Sequence, residues 1–413
     1  MTEALIIDAC RTPRGIGKMG KGALTTIHPH RLGAAVLRAL ADRNGINTAD
    51  VDDVIWGTNT QRGKQANDMG RMSALDAGYD FRASGVTLDR FCGSGITAVV
   101  MAAASIKAGF EDLVVAGGTE MMSVNAASRR PEDGPTVFDN GNLHLRALHP
   151  QSNQGVCADA IATLEAIPRT DLDALSVESQ ERAAKAIAGG HFRRSLIAVY
   201  HDNGTLALDR EEYPRPETTL EGLANLKPAF QVVADVAVDA TGKTFRQLIN
   251  DKFPDLDIQF VHHAGNSSGV VDGAAALLLA SSTYARAHGL KPRARVVAAA
   301  NVGDSPTLML NGPVPAARKV LAKAGLTLDD IDLFEVNEAF AVVTEKFIRD
   351  LKLDRDKVNV NGGAIALGHP IGATGAILIG TMLDELERRD LRRGLVTMCA
   401  AGGMAPAIVI ERV

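Results

Sequence analysis

Apolar residues in this chain run in unbroken stretches: ALIIDA at 4–9, DDVIWG at 52–57, DLVVAGG at 112–118 and AAALLLASS at 274–282. RARVVAAA, LVTMCAAGG and PAIVIERV continue the pattern toward the C-terminus. A strand with one wet face alternates apolar and polar residues, whereas strands apolar throughout need cover on both sides. Segments with helical periodicity separate the runs, so the pattern predicts an α/β protein. Two predicted helices, opening at ITAVVMAAAS and TGAILIGTML, are apolar or small on almost every side. A helix without a polar face has nothing to offer water. Both are expected between two sheets, in a helix–sheet–helix–sheet–helix stack.

A weak internal repeat organises these elements. LGAAVLRALADRNGINTADVDDVIWG (32–57) resembles AARKVLAKAGLTLDDIDLFEVNEAF (316–340): a helix, a Gly turn with an Asp pair, then a strand. Gly95 lies 44 residues beyond Val51, and Gly375 lies 44 beyond the equivalent Ile331. Two similar halves about a pseudo-twofold axis are expected: 1–120, completed by about 271–292, and 293–413. Residues 121–270 are richer in Pro, Asn, His and charge, and are expected to form an inserted loop domain covering a site on the core.

Length and composition change this picture little. The 413 residues are 46% hydrophobic and 23% charged, as in ordinary globular proteins. A net charge of −5 gives no electrostatic reason to bind nucleic acid or an anionic membrane. No apolar run is read as approaching the roughly 20 residues of a membrane span. The N-terminus lacks the pattern of a secretory leader, and the final ERV is no sorting signal. Four widely spaced cysteines make no disulfide framework, so a reducing cytoplasm is expected.

The candidate chemistry lies in small-residue turns. Gly15-Ile-Gly17-Lys-Met-Gly20-Lys21 fits G-x-G-x-x-G, but no helix pattern follows until after Pro29, so it reads as a flexible surface turn rather than a nucleotide loop. His262-His263 is not read as a metal site, since neighbours in an extended segment face opposite ways. Cys10 and Cys157 sit in apolar contexts and read as small buried hydrophobes. Cys92 is different: it stands in Phe-Cys-Gly-Ser-Gly, immediately before a buried helix. The glycines are expected to let the backbone turn tightly, and the helix dipole to lower the thiol by roughly one pKa unit. That leaves most of it protonated, so a base is needed. Gly368-His369-Pro370, at the corresponding turn of the second half, supplies one. Cys399, in a strand-ending turn, adds a second thiol. Two cysteines and a histidine at matching points of two halves form a converging site.

These segments together resemble the thiolase family. ACRTPRG, CGSG, VAGGTEMMS, LKPAF, AGNSSG, VNEAF, NGGAIALGHPIGATG and TMCAAGG carry the resemblance over essentially the whole chain. It implies a five-layered αβαβα core and acyltransferase activity, with Cys92 as nucleophile, His369 as base and Cys399 as the acid/base at C2 of the acetyl unit. Asn337 would hold an oxyanion-hole water. The backbone N–H groups of Cys92 and Ala401 would form a second hole. Ser268, Ala264, Gly265, Phe230, Ala339 and Phe340 would contact substrate or coenzyme A. No metal or cofactor is implied; acyl-CoA and coenzyme A are the substrates, and a homodimer or homotetramer is expected.

Four departures bear on the substrate: Asp89 where Asn is usual, Ala401 where Gly is usual, Asn153-Gln154 where short-chain members carry His-Met, and an insertion at 231–263 between LKPAF and AGNSSG. Thiolytic release of acetyl-CoA or propionyl-CoA from a 3-ketoacyl-CoA is the expected activity. The alternatives are acetoacetyl-CoA synthesis at the same site and non-catalytic acyl-CoA binding.

Overall fold

The computed structural model describes residues 2–129 and 134–413. In the first half the strands are β1 (Ala4–Arg11), β2 (Gly15–Ile16), β3 (Asp53–Gly57), β4 (Val86–Leu88) and β5 (Leu113–Met121). The segment between the halves contributes a small hairpin, β6 (Val199–Tyr200) with β7 (Leu206–Leu208). β8 (Val271–Ser281), β9 (Ala294–Gly303), β10 (Leu333–Val336), β11 (Arg393–Thr397) and β12 (Met404–Arg412) follow.

The sheet order β10-β11-β12-β9-β1-β8-β5-β3-β4 exposes the duplication. Outward from β1 run two antiparallel pairings, through β8 to β5, then a parallel one to β3. Outward from β9 run two antiparallel pairings, through β12 to β11, then a parallel one to β10. The halves join where β1 and β9 pair over Leu5–Arg295 and Ile6–Ala294.

Local chemistry repeats as well. Helices Pro29–Asn44 and Pro313–Ala324 each open on proline, whose fixed φ suits the first turn, and each stops at a left-handed glycine, Gly45 or Gly325. A short 3₁₀ turn follows each. Asp52 then accepts the N–H groups of Asp112 and Leu113, as Asp332 accepts those of Arg392 and Arg393. One aspartate at equivalent positions of the repeat, Asp52 or Asp332, thus ties the start of one strand to its neighbour in each half.

Helices Ser94–Ala108 and Ile371–Arg388 cross between the two halves of this continuous sheet. A Cβ on Gly375 would stand 2.1 Å from the Ile96 nitrogen, and one on Gly95 would stand 2.8 Å from that of Ala376. The residues with matched offsets are therefore the contact point of the two helices. Ile371–Arg388 is buried continuously from Gly372 to Leu386. Ser94–Ala108 departs from expectation: Met101 is 45% exposed, so one stripe of this apolar helix opens outward. A second correction concerns length. Phe91–Ala108 is long and apolar enough to cross a membrane by composition alone, although 61% of it is buried inside the protein. The helix is apolar because it packs against strands of both halves of the sheet.

The insertion is closed at its base by the Ala229 N–H donating to the His262 carbonyl, 2.8 Å. It buries Phe245, Leu248, Ile249 and Ile258 against Val156, Cys157 and Ile161 of helix Gln154–Leu164. The short helix Phe245–Asn250, held by a capping box of Thr244 and Gln247, supplies the first three.

Candidate active site

Three chain turns meet at the mouths of the two central helices. A Cβ on Gly57, at the end of β3, would lie 2.8 Å from the Gly372 carbonyl oxygen and 2.9 Å from Ser94. Gly118 in β5 would meet the same carbonyl at 2.1 Å. Glycine is required at both positions because backbone packs on backbone. The Cys92-Gly93-Ser94 and His369-Pro370-Ile371-Gly372 turns therefore lie side by side. Cys399 joins them, close enough that the charge on one sulfur raises the pKa of the other thiol.

The Cys92 turn is built differently from the sequence expectation. Gly93 is right-handed, and the positive φ falls on Phe91, at +50°. The Asp89 carboxylate accepts the Phe91 N–H (2.7 Å), and Ser94 Oγ bridges the turn from the Arg90 N–H (2.8 Å) to the Phe91 carbonyl (2.6 Å). The glycines serve close approach instead: a Cβ on Gly93 would stand 2.9 Å from the Pro406 ring. Asp89 preserves the turn as an acceptor.

Electrostatics also reverses an expectation. Cys92 is 6% exposed, and burial pushes its thiol up to about 12, with Glu120 and Asp89 adding to the rise. Desolvation in this position outweighs the helix dipole. The Gln154 side chain hydrogen-bonds the sulfur and opposes the rise. Burial likewise raises Cys399, and lowers His369 to about 4. The site thus holds neutral thiols beside a neutral imidazole.

His369 has one nitrogen engaged and one free. Nδ1 bonds Thr374 Oγ1 at 2.6 Å, while Nε2 is buried without a partner among the described residues. Both side-chain polar atoms of Asn337 are also buried and unpartnered. Buried polar atoms are normally satisfied, and exceptions concentrate where a reactant or water will sit. Asn337 adjoins the Cys399 turn, its N–H donating to Thr397 (3.2 Å). Among the described residues, neither the Cys92 nor the Ala401 backbone N–H donates to a protein acceptor.

The surrounding motifs are laced together through the backbone. In AGNSSG, Ser268 donates to Ala339, Gly269 donates to Ala364, and the Gly269 carbonyl accepts the His369 N–H at 2.9 Å. Glu338 accepts from Ser179 Oγ (2.7 Å), Asn359 Nδ2 (3.0 Å) and the Ile365 N–H (3.1 Å), locking VNEAF onto the loop that leads to His369.

A cavity of about 440 Å³ is lined by Phe230, Ala264, Ser267, Ser268, Val270 and Tyr213, among others. Phe340 stacks edge-on against Phe230, with ring centroids 5.7 Å apart, and Ala339 is buried beside it. Gly265 does not line this space; it packs beneath Leu223 and Leu226. A larger open hollow, about 680 Å³, is lined by Phe91 together with Asn59, Arg62, Asp89 and Phe138.

His262 and His263 face apart as expected. His262 Nδ1 bonds Asp159 (2.7 Å) and His263 Nε2 bonds Asp173 (2.9 Å). Cys10 and Cys157 are buried, each thiol donating to a backbone carbonyl at 3.2 Å.

Three residues escaped sequence reasoning. Glu120, fully buried, accepts N–H groups from Asn59, Thr60, Gln65, Asn125 and Gly372, fixing the loop after β3 to the start of the His369 helix. Thr374 orients the imidazole. Gln154 reaches Cys92 from the first turn of its helix, where Asn153 is the cap, accepting the Gly155 N–H at 2.9 Å. The only available signal was that Asn153-Gln154 breaks the His-Met pattern.

Comparison with known proteins agrees with this fold. Family models described as the thiolase N-terminal and C-terminal domains match residues 4–241 and 290–412. Steroid 3-ketoacyl-CoA thiolase FadA6 of Mycobacterium tuberculosis is 42% identical, covering 100% of this chain and 95% of the relative. The 3-oxoadipyl-CoA/3-oxo-5,6-dehydrosuberyl-CoA thiolase of Escherichia coli is 41% identical, with 100% of both covered. The crystal structure of the Bacillus anthracis acetyl-CoA acetyltransferase superposes with a TM-score of 0.83 at 33% identity, covering 100% of this chain and 99% of that one. Both family matches and the named relatives are those of acyltransferases, and the chain belongs to the thiolase family.

Proposed function

We propose that the protein cleaves a 3-ketoacyl-CoA with coenzyme A through an acyl thioester on Cys92. The observation that carries this reading is the junction of the Cys92 and His369 turns at Gly57, with His369 Nε2 unpartnered. Nε2 takes the Cys92 proton as sulfur attacks the C3 carbonyl. The C2–C3 bond then breaks, and its electron pair passes to the enolate of acetyl-CoA. Cys399 delivers a proton to C2. The proton that His369 took then passes to the Cys399 thiolate, and His369, neutral again, deprotonates the thiol of coenzyme A, whose sulfur attacks the thioester and expels the Cys92 thiolate, which His369 reprotonates. Free N–H groups at Cys92 and Ala401 suit the tetrahedral oxyanions, and the unpartnered Asn337 suits the enolate. Losing one such donor typically costs about 10²–10³ in rate.

Relatives named for steroid and adipyl thioesters, together with Gln154 and the hollow lined by Phe91, favour an acyl group larger than acetyl. Coenzyme A enters as substrate and the chemistry needs no further cofactor. Four free thiols suit a reducing cytoplasm, and the open edge of β4 beside the 38%-exposed Val86 suits a homodimer or homotetramer. Cys92→Ser and Cys92→Ala should abolish thiolysis and acyl labelling while leaving circular dichroism unchanged. Turnover by either variant refutes the mechanism. A panel of acetoacetyl-CoA against longer, branched and carboxylated 3-ketoacyl-CoAs tests the substrate; strict preference for acetoacetyl-CoA would favour the synthetic direction.

A further inference from the structure

The Gly-rich segment at 15–21, which reads in the sequence as a free surface turn, forms part of the cavity wall. Gly15 pairs with Asp272 and Ile16 with Val271, and the Gly17 N–H donates to the Val270 carbonyl at 2.9 Å. A Cβ on Gly17 would stand 2.8 Å from the Val271 nitrogen, so only glycine permits this approach. Glu212 anchors the segment, accepting the N–H groups of Ile16 (2.7 Å) and Ala23 (3.1 Å) with one oxygen. The neighbouring Glu211 is engaged by Arg11 and Arg14.

This frame carries Lys18 to the rim of the 440 Å³ cavity that Phe230, Ala264 and Ser268 line. Lys18 is exposed, and among the described lining residues it is the only charged one. The other walls are apolar or neutral. A passage of this kind fits a ligand with a neutral arm and an anionic end.

Resting on the proposed thiolase reading, we propose that the Gly15–Lys21 turn is a phosphate handle. In this arrangement Lys18 Nζ meets the phosphates of coenzyme A while the pantetheine arm passes Ser268 toward Cys92. A G-x-G-x-x-G stretch that is not a nucleotide loop would then serve nucleotide binding by a different route: the glycines seat the segment against β8, and one lysine supplies the charge.

The test is equilibrium binding of coenzyme A and of phosphate-free pantetheine to the intact protein, by calorimetry, for wild type, Lys18→Glu and Lys18→Arg. Reversing one rim charge should weaken coenzyme A about tenfold and leave pantetheine unchanged, with Lys18→Arg close to wild type. The coenzyme A difference should shrink in high salt, as exposed charges are screened. Equal losses for both ligands, or no loss for coenzyme A, would overturn the assignment. Because binding is read without turnover, failure of the catalytic reading appears separately, as wild-type protein that binds coenzyme A and releases no acetyl-CoA.

Discussion

Replacing Gly375 by alanine sets two physical effects against each other. Intrinsic propensity favours alanine in a helix interior by about 1 kcal/mol. Packing opposes it. The new methyl would stand 2.1 Å from the Ile96 nitrogen, 2.7 Å from the Gly95 carbonyl carbon and 2.8 Å from Ile96 Cγ1, where ordinary contact begins at 3.4 Å. Two of these atoms are backbone and cannot swing aside, so the helices must part by about an ångström. Overpacking of this kind costs about 1–3 kcal/mol, and more when backbone must move. A net destabilisation of about 1–2 kcal/mol is expected from urea unfolding. Because Cys92 and His369 sit at the mouths of these two helices, the same shift separates the proposed nucleophile from its proposed base. A misplacement near 1 Å costs about 10²-fold in turnover. Gly95→Ala should be milder, since its nearest contact is 2.8 Å. A Gly375→Ala protein stabilised by about 1 kcal/mol would refute the reasoning, as would a larger loss for Gly95→Ala.

Thr374→Val removes the only partner of His369 Nδ1 among the described residues and should lower kcat/KM about 10–100-fold with coenzyme A affinity retained; Thr374→Ser should restore it. Glu120→Gln turns an NH₂ group toward donors on at least two chain segments and should cost about 2–4 kcal/mol, read as a lower urea midpoint. His369 titrates near 4 in the folded protein, below its ordinary 6.5. Its contribution to stability is therefore whole above pH 6.5 and is lost as pH falls toward 4, by about 3 kcal/mol in all. His369→Gln should flatten the stability curve in that window, and an unchanged slope would contradict the burial argument.

The sequence revealed what is periodic or locally peculiar. Apolar runs marked β1, β3, β5, β8, β9, β11 and β12 because strands covered on both faces carry no polar positions. Gly95 and Gly375 were identified as equivalents because duplication preserved their spacing, and they touch. What stayed hidden depends on distant partners. Glu120 looks like one acid among many until residues 59, 60, 65, 125 and 372 gather around it. The three residues of β4 are too few to show a period, and β2 is defined only by pairing with β8. The Cys92 thiol was misjudged in direction for the same reason. A helix start is visible in sequence, whereas the burial that outweighs its dipole is not.

The duplication also explains how a symmetric scaffold yields a one-sided site. Counting back equally from Gly95 and Gly375, Cys92 corresponds to Gly372 and Asp89 to His369. Each half therefore brings an equivalent backbone N–H to the same junction, at the positive end of its own helix. The Gly372 N–H is taken by Glu120 at 3.0 Å, whereas the Cys92 N–H has no protein acceptor among the described residues. One anion-binding position is filled by the chain itself and the other is left for the substrate. Filling it has a cost, because the Glu120 charge raises the neighbouring thiol. That cost is tolerable if Cys92 gives up its proton only as a carbonyl oxygen arrives at the open N–H, and His369, held neutral and with Nε2 free, is the group placed to take it.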